Sequence, residues 1–123
     1  MTFRTVRTIG LRMPGVEEST MYGTPALKLG GRMIACIASH KSAEPNTLVV
    51  RTDFEQRDAL VVEEPGTYYV KEHYQTFPVV LVRLTKVSPD AMRDLLAAAH
   101  RLVSAHAKKR ARPVRRAAVK SRR

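Results

Sequence analysis

The densest concentration of reactive charge in this sequence is its last seventeen residues, AKKRARPVRRAAVKSRR. Lys108, Lys109, Arg110, Arg112, Arg115, Arg116, Lys120, Arg122 and Arg123 supply nine cations there, with no carboxylate among them. Cations at this density repel one another, and Ala, Val and Pro bury little surface, so the unbound segment is expected to be disordered. Beside DNA or RNA, each cation that meets a phosphate releases counterions. Nine contacts with B-DNA would give a log–log salt slope of up to roughly −8. Phosphate contacts carry no base information, so such affinity would be largely independent of sequence. A solubilising tail without a fixed partner, or attraction to an anionic membrane surface, would use the same charges.

A second set of cations lies in the body. Lys28, Arg32, Arg51, Lys71 and Arg83 fall on or beside expected strands, where alternation could bring several to one exposed sheet face. Tyr22, Tyr69 and Tyr74 could add flat rings on which bases stack. Against this, strand cations commonly solvate an outer face and discourage edge pairing, and tyrosines commonly straddle the core boundary. The nucleic-acid-binding candidates are therefore Lys28, Arg32, Arg51 and Arg83 in the body, with Lys108, Lys109, Arg110, Arg112, Arg115 and Arg116 beyond it.

Other constellations are weaker. Glu72-His73-Tyr74 offers acid–base groups, but neighbours in a loop guarantee neither the held geometry nor the tuned pKa that proton transfer needs. His40 sits in a different loop. His100 and His106 share a helix six residues apart, a poor spacing for one metal ion. Glu17-Glu18 and Glu63-Glu64 flank helix ends as solvated charge. Cys36 falls in an apolar strand with no base placed beside it and reads as packing. Gly30-Gly31 lacks the following helix that a phosphate-cradling loop requires. No catalytic residue, metal or cofactor is expected.

The charge distribution separates these two sets. The chain has 123 residues, 22 Lys and Arg against 11 Asp and Glu, and a formal net charge of +11. All the acidic residues lie between Glu17 and Asp94, so without the nine terminal cations the body is nearly neutral. This points to one folded domain over 1–106 carrying a basic extension over 107–123. The 44% apolar content is that of an ordinary globular protein. A single cysteine fits a reducing cytoplasm, with nucleoid association as a further expectation. Neither a signal peptide nor a membrane-length apolar run is readable. The expected partner is DNA, with RNA as an alternative, and the expected state is a monomer or weak homodimer.

The elements that must position these residues can be read in order. Phe3, Val6, Ile9 and Met13 recur at helical spacing after Thr2, and Pro14-Gly15 stops them. Glu18 to Tyr22 is a weak strand. Pro25 to Leu29 and Arg32 to Ala38 flank Gly30-Gly31, a tight hairpin link. The second arm is apolar on both faces, as in a central strand covered by helices. Ser39 to Asn46 is a loop, and Thr47 to Arg51 a strand. Asp53 with Gln56 forms a capping box that opens a helix with Phe54, Leu60 and Val61 as its apolar positions. Thr67 to Val70 and Pro78 to Leu84 are strands joined by the loop that holds His73. Ser88-Pro89-Asp90 opens the last helix, whose stripe of Met92, Leu95, Leu96, Ala99, Leu102 and Val103 fades by His106, before Pro113. The fold class is α+β: an antiparallel sheet of about five to six strands with helices on one face, in the order α-β(3–4)-α-β(2)-α.

Four segments in this order resemble the MmcQ/YjbR family: Pro14-Gly15-Val16-Glu17-Glu18, Tyr22-Gly23-Thr24-Pro25-Ala26-Leu27-Lys28, Asp53-Phe54-Glu55-Gln56-Arg57, and Pro78-Val79-Val80-Leu81-Val82-Arg83-Leu84. The resemblance runs from about Thr2 to His106. It implies a body like that of type III secretion chaperones, also described as a double-wing fold, a DNA-binding label drawn from that fold, and no catalytic centre. A protein-binding adaptor or chaperone-like dimer using the sheet face is the alternative it implies. Members of the family commonly end near the last helix, so the basic extension is not carried over from it.

Overall fold

The computed structural model describes residues 1–106 in full and the backbone course of the last helix as far as Ser121. Three helices and six strands follow in the order α1 (Phe3–Gly10), β1 (Val16–Met21), β2 (Thr24–Leu29), β3 (Arg32–Ile37), β4 (Thr47–Arg51), α2 (Phe54–Glu63), β5 (Tyr68–Tyr69), β6 (Val79–Arg83) and α3 (Pro89–Ser121), with one 3-10 turn at Glu72–Tyr74. The strands form one antiparallel sheet in the order β1-β2-β3-β4-β6-β5. The chain is α+β, as its element order predicts.

Two tight turns build the first half of the sheet. Gly30 and Gly31 both have positive φ, 58° and 80°, the left-handed pair that matches the twist of a two-residue hairpin. Tyr22 and Gly23 repeat the device at 53° and 79°. The weak strand expected at Glu18 to Tyr22 is therefore a full six-residue strand, paired along its whole length with β2. The register of β2 and β3 slips by one residue between Leu27 and Lys28. Ile34 is the residue left over, and it joins Ala35 on the helix side.

All three helices cover one face. The main core there joins Val6 of α1, Leu27, Ile34, Leu48, Val50, Val80 and Val82 of the sheet, and Met92, Leu95, Leu96, Ala99 and Val103 of α3. Leu60 and Val61 bring α2 onto the same core. Burying each large aliphatic side chain contributes about 1.5–3 kcal/mol, so this layer dominates stability. Gly10 lets α1 approach so closely that an added Cβ would overlap Leu27. The other face carries a thinner cluster of Ala26, Met33, Cys36, Val49, Tyr69, Tyr74, Val79 and Leu81. Helices on both sides of β3 are not what covers it. The second side is closed by the β3–β4 loop and the segment after β5, which contribute Ala38, Ala43 and Val70.

Local signals hold where capping is written in the sequence. Asp53 accepts the Gln56 backbone N–H at 2.6 Å to start α2, and Ser88 Oγ accepts from Ala91 N at 3.1 Å to start α3. Thr2 precedes α1 without a side-chain cap, and the helix ends at Gly10 rather than Met13. In α2, Leu60 and Val61 face the core as expected, but Phe54 is exposed and Arg57 is the buried residue. α3 is assigned past His106 and through Pro113. The disorder expected of 107–123, and the binding role of Lys108, Lys109, Arg110, Arg112, Arg115 and Arg116, fall on side chains outside the described residues.

Candidate functional site

The open face of the sheet has two cationic ends, and they differ. At one end β2 and β3 turn at Gly30-Gly31. Lys28 stands opposite Met33 in β3 and opposite Glu17 in β1, while Arg32 pairs with Leu29. Arg51, at the end of β4, reaches the same place, because its Nε donates to the Met33 carbonyl at 2.6 Å. Partial burial, and then the nearby Arg32 guanidinium, push the Arg51 pKa down. Like charges have been gathered here, and among the described residues none of the three forms an ion pair. Arg32 and Arg51 are therefore close enough to interact, and Lys28 and Arg51 both adjoin Met33.

Arg83 lies at the other end, at the far end of β6, and is fully occupied. Its Nε and one terminal nitrogen donate to the two Glu44 carboxylate oxygens at 2.8 Å each, and its remaining nitrogen donates to Pro65 O at 2.9 Å. Its guanidinium also lies 4.3 Å from the centre of the Tyr69 ring. A planar fork matched to a carboxylate is the strong form of this contact. It raises the Arg83 pKa and holds the Glu44 carboxyl below the usual carboxylate range. Arg83 ties the β3–β4 loop to the sheet and has little left to offer a ligand.

The aromatic and histidine residues are sorted in the same way. Tyr69 and Tyr74 are buried, whereas Tyr22 is 83% exposed at a turn. The Tyr69 hydroxyl lies 2.6 Å from that of Thr47 and accepts from the Glu44 backbone N–H. Two of the three proposed stacking rings are thus core. His40 and His73, thirty-three positions apart, stack with centroids 3.6 Å apart and an interplanar angle of 8°. Tyr74 meets both rings edge-on. Partial burial, followed by the charges of His73 and Lys41, pushes the His40 pKa down. This stack clasps the β3–β4 loop to the 3-10 turn, and sequence spacing contains no signal for it. Cys36 lies beneath, its thiol pushed up to about 11 by burial, with Lys28 opposing. A thiol so protonated is a poor nucleophile.

Arg57 performs a role that its sequence pattern conceals. One of its terminal nitrogens donates to the carbonyls of Gln75 and Phe77 at 3.0 and 3.2 Å, and its guanidinium lies over the Phe54 ring. It anchors α2 to the segment leading into β6.

The two cationic ends also differ in what adjoins them. α1 and α3 run side by side in the same direction. The Met1 ammonium donates to Leu84 O at 3.0 Å at the start, and His100 Nε2 meets Pro14 O at 2.7 Å further along. Gly15, next in the chain, packs against Leu29. α3 therefore leaves the body at the end of the sheet that holds Lys28 and Arg32, and it leads into the nine-cation segment.

A model of the YjbR family matches residues 11–102, three quarters of the chain and nearly all of its folded body. The chain belongs to the YjbR family. The crystal structure of the Deinococcus radiodurans protein DR2400, assigned a DUF419 domain, is similar to this YjbR chain with a TM-score of 0.68 and 23% identity, covering 84% of this chain and 78% of that one. At that identity the likeness is one of fold. No curated protein matches the sequence. Among the described residues of this YjbR domain, no group of three or more His, Cys, Asp or Glu is placed to hold a metal ion, and no helix is long and apolar enough to cross a membrane.

Proposed function

We propose that this YjbR protein binds DNA without catalysing a reaction on it, largely independently of base sequence. The basic segment 107–123 supplies most of the affinity, and Lys28, Arg32 and Arg51 supply a fixed point of contact on the body. The observation that carries this reading is that Arg51 lies beside Arg32, and shares Met33 with Lys28, at the end of the sheet where α3 departs toward nine further cations, with none of the three in an ion pair among the described residues. Gathering like charges beside one another costs energy unless a polyanion neutralises them, and a polyanion gains entropy from the counterions released. Contacts of this kind go to phosphate, which is why base preference is not expected. A cytoplasmic, nucleoid-associated location accords with such binding.

Fluorescence anisotropy with a labelled duplex, titrated across salt concentrations, tests the reading. Binding at low salt that weakens steeply as salt rises is the expected result. A full-length protein that ignores both DNA and RNA at low salt would refute it.

A further inference from the structure

A separate basic groove lies on the helical side of the molecule, remote from the sheet face. It is formed where α1 runs beside the first turns of α3, and has a volume of about 480 Å³. Arg4, Arg12 and Arg93 line it, with Ile9, Met13 and Pro89 supplying apolar surface. Arg93 is paired with Asp90, whereas Arg4 and Arg12 are exposed and form no ion pair among the described residues. By contrast Arg7, on the same helix, is engaged by Glu18. The opening of α3 adds the positive end of a long helix dipole.

The arrangement of charge and apolar surface narrows the ligand. Arg4 lies in the first turn of α1 and Arg12 just beyond its end, so about 9 Å of helix axis, from Arg4 to Gly10, lies between them. That is too far for one phosphate group and calls for more than one phosphate along a strand. An apolar floor between cationic rims suits unpaired bases or sugars lying between their phosphates, which a duplex would keep stacked inside. The volume lies in the range of pockets that hold ligands of nucleotide size.

We infer that the α1–α3 groove binds a short stretch of single-stranded nucleic acid, with Arg4 and Arg12 on successive parts of its phosphate backbone and the Ile9–Met13 surface against a base or sugar. This rests on the nucleic-acid reading above and adds a second, strand-selective contact to it.

The test uses the full chain. Binding of a labelled single strand and of a duplex is measured from 50 mM to 1 M salt for the wild type, for R4A/R12A, and for K86A/R101A, which removes two exposed cations outside the groove. Two lost contacts make the single-strand salt slope shallower by about 1.4, which amounts to about tenfold weaker binding at 200 mM salt when the contact contribution vanishes near 1 M. R4A/R12A should show that loss on the single strand and a smaller one on the duplex, with K86A/R101A close to wild type on both. An unchanged R4A/R12A in a protein that binds nucleic acid overturns the groove alone. Equal losses from both double variants, or equal losses on both ligands, reduce the effect to net charge and overturn it too. A wild type that binds neither ligand overturns the nucleic-acid reading itself, and the groove proposal with it.

Discussion

Arg51 and Arg83 occupy the last positions of neighbouring strands on the same open face, yet the fold gives them opposite employment. Arg83 meets a carboxylate in both arms of its fork, a backbone carbonyl and a tyrosine ring, so its charge is spent within the protein. Arg51 meets one carbonyl and a second arginine, so its charge stays available at a cost. A cation on a strand therefore says little by its type. What matters is whether a loop brings a carboxylate to it. The β3–β4 loop brings Glu44 to Arg83, whereas at the Gly30-Gly31 end Glu17 stands opposite Lys28 in register and no ion pair forms among the described residues.

The broadest way to break this contrast is to ask whether the free end needs the extension beside it. Full-length protein making six or more phosphate contacts should lose about a thousandfold or more in DNA affinity between 50 and 200 mM salt. Ending the chain after His106 should leave a salt slope no steeper than about −3, the limit for the three sheet cations. An unchanged slope would move the site onto the body.

The next effect separates the two ends directly. K28Q/R32Q should weaken duplex binding for all sequences and flatten the salt slope by about 2, at about 1 per phosphate contact. R83Q should leave the slope as it is. If R83Q flattens it as much as the double variant does, the internal ion pair opens to ligand and the contrast fails.

Stability should show the reverse order. Arg83→Met should cost about 1 kcal/mol, the net worth of hydrogen bonds that remain partly exposed to water. Lys28→Met should be within error in the same urea titration. Arg57→Ala should exceed both at about 2–3 kcal/mol, because two carbonyls lose a nearly buried donor.

Acid should reach the occupied end first. Arg83 holds Glu44 below its ordinary value of 4.5. The contact's stabilisation is therefore complete above that value and is lost as pH falls through the lower folded pKa. His40, pushed below its ordinary 6.5, follows the same sign: the stack is fully favoured above that value and gives way as pH drops through the lower folded one. Stability measured from pH 7 down to pH 3 should fall less steeply in E44Q than in wild type, and identical curves would remove the Glu44 contact as the cause. The smallest expected signal is at Cys36. With its thiol near 11, it should resist alkylation at pH 8 until the protein unfolds.

Much of the fold was legible because its signals are local. Asp53 with Gln56, and Ser88 with Pro89, start helices through groups no more than three residues apart. Gly30-Gly31 makes its turn through two residues that tolerate positive φ. Tyr22-Gly23 makes the same turn but hid it, since a tyrosine at positive φ is uncommon and its strand carries Glu17, Glu18, Ser19 and Thr20. Arg57 escaped because a charged side chain is normally assigned to water, and its two acceptors lie eighteen and twenty residues away. The candidate site was half legible. Strand alternation put Lys28, Arg51 and Arg83 on one face, but it contains no information about which of them a loop would neutralise.

The amino-acid sequence alone determined the α+β element order, the main turn and capping positions, and the separation of a near-neutral body from a terminal run of positive charge, because these follow from composition and from groups close together in the chain. Tertiary structure alone decided that Arg32 and Arg51 meet, with Lys28 beside the same Met33, while Arg83 is consumed, that His40 stacks on His73, and that Arg4 and Arg12 border a groove with Arg93. Those outcomes depend on strand register and on helices and loops returning from distant parts of the chain. Electrostatic and packing energies are set by distances in space, and separation along the chain does not encode them.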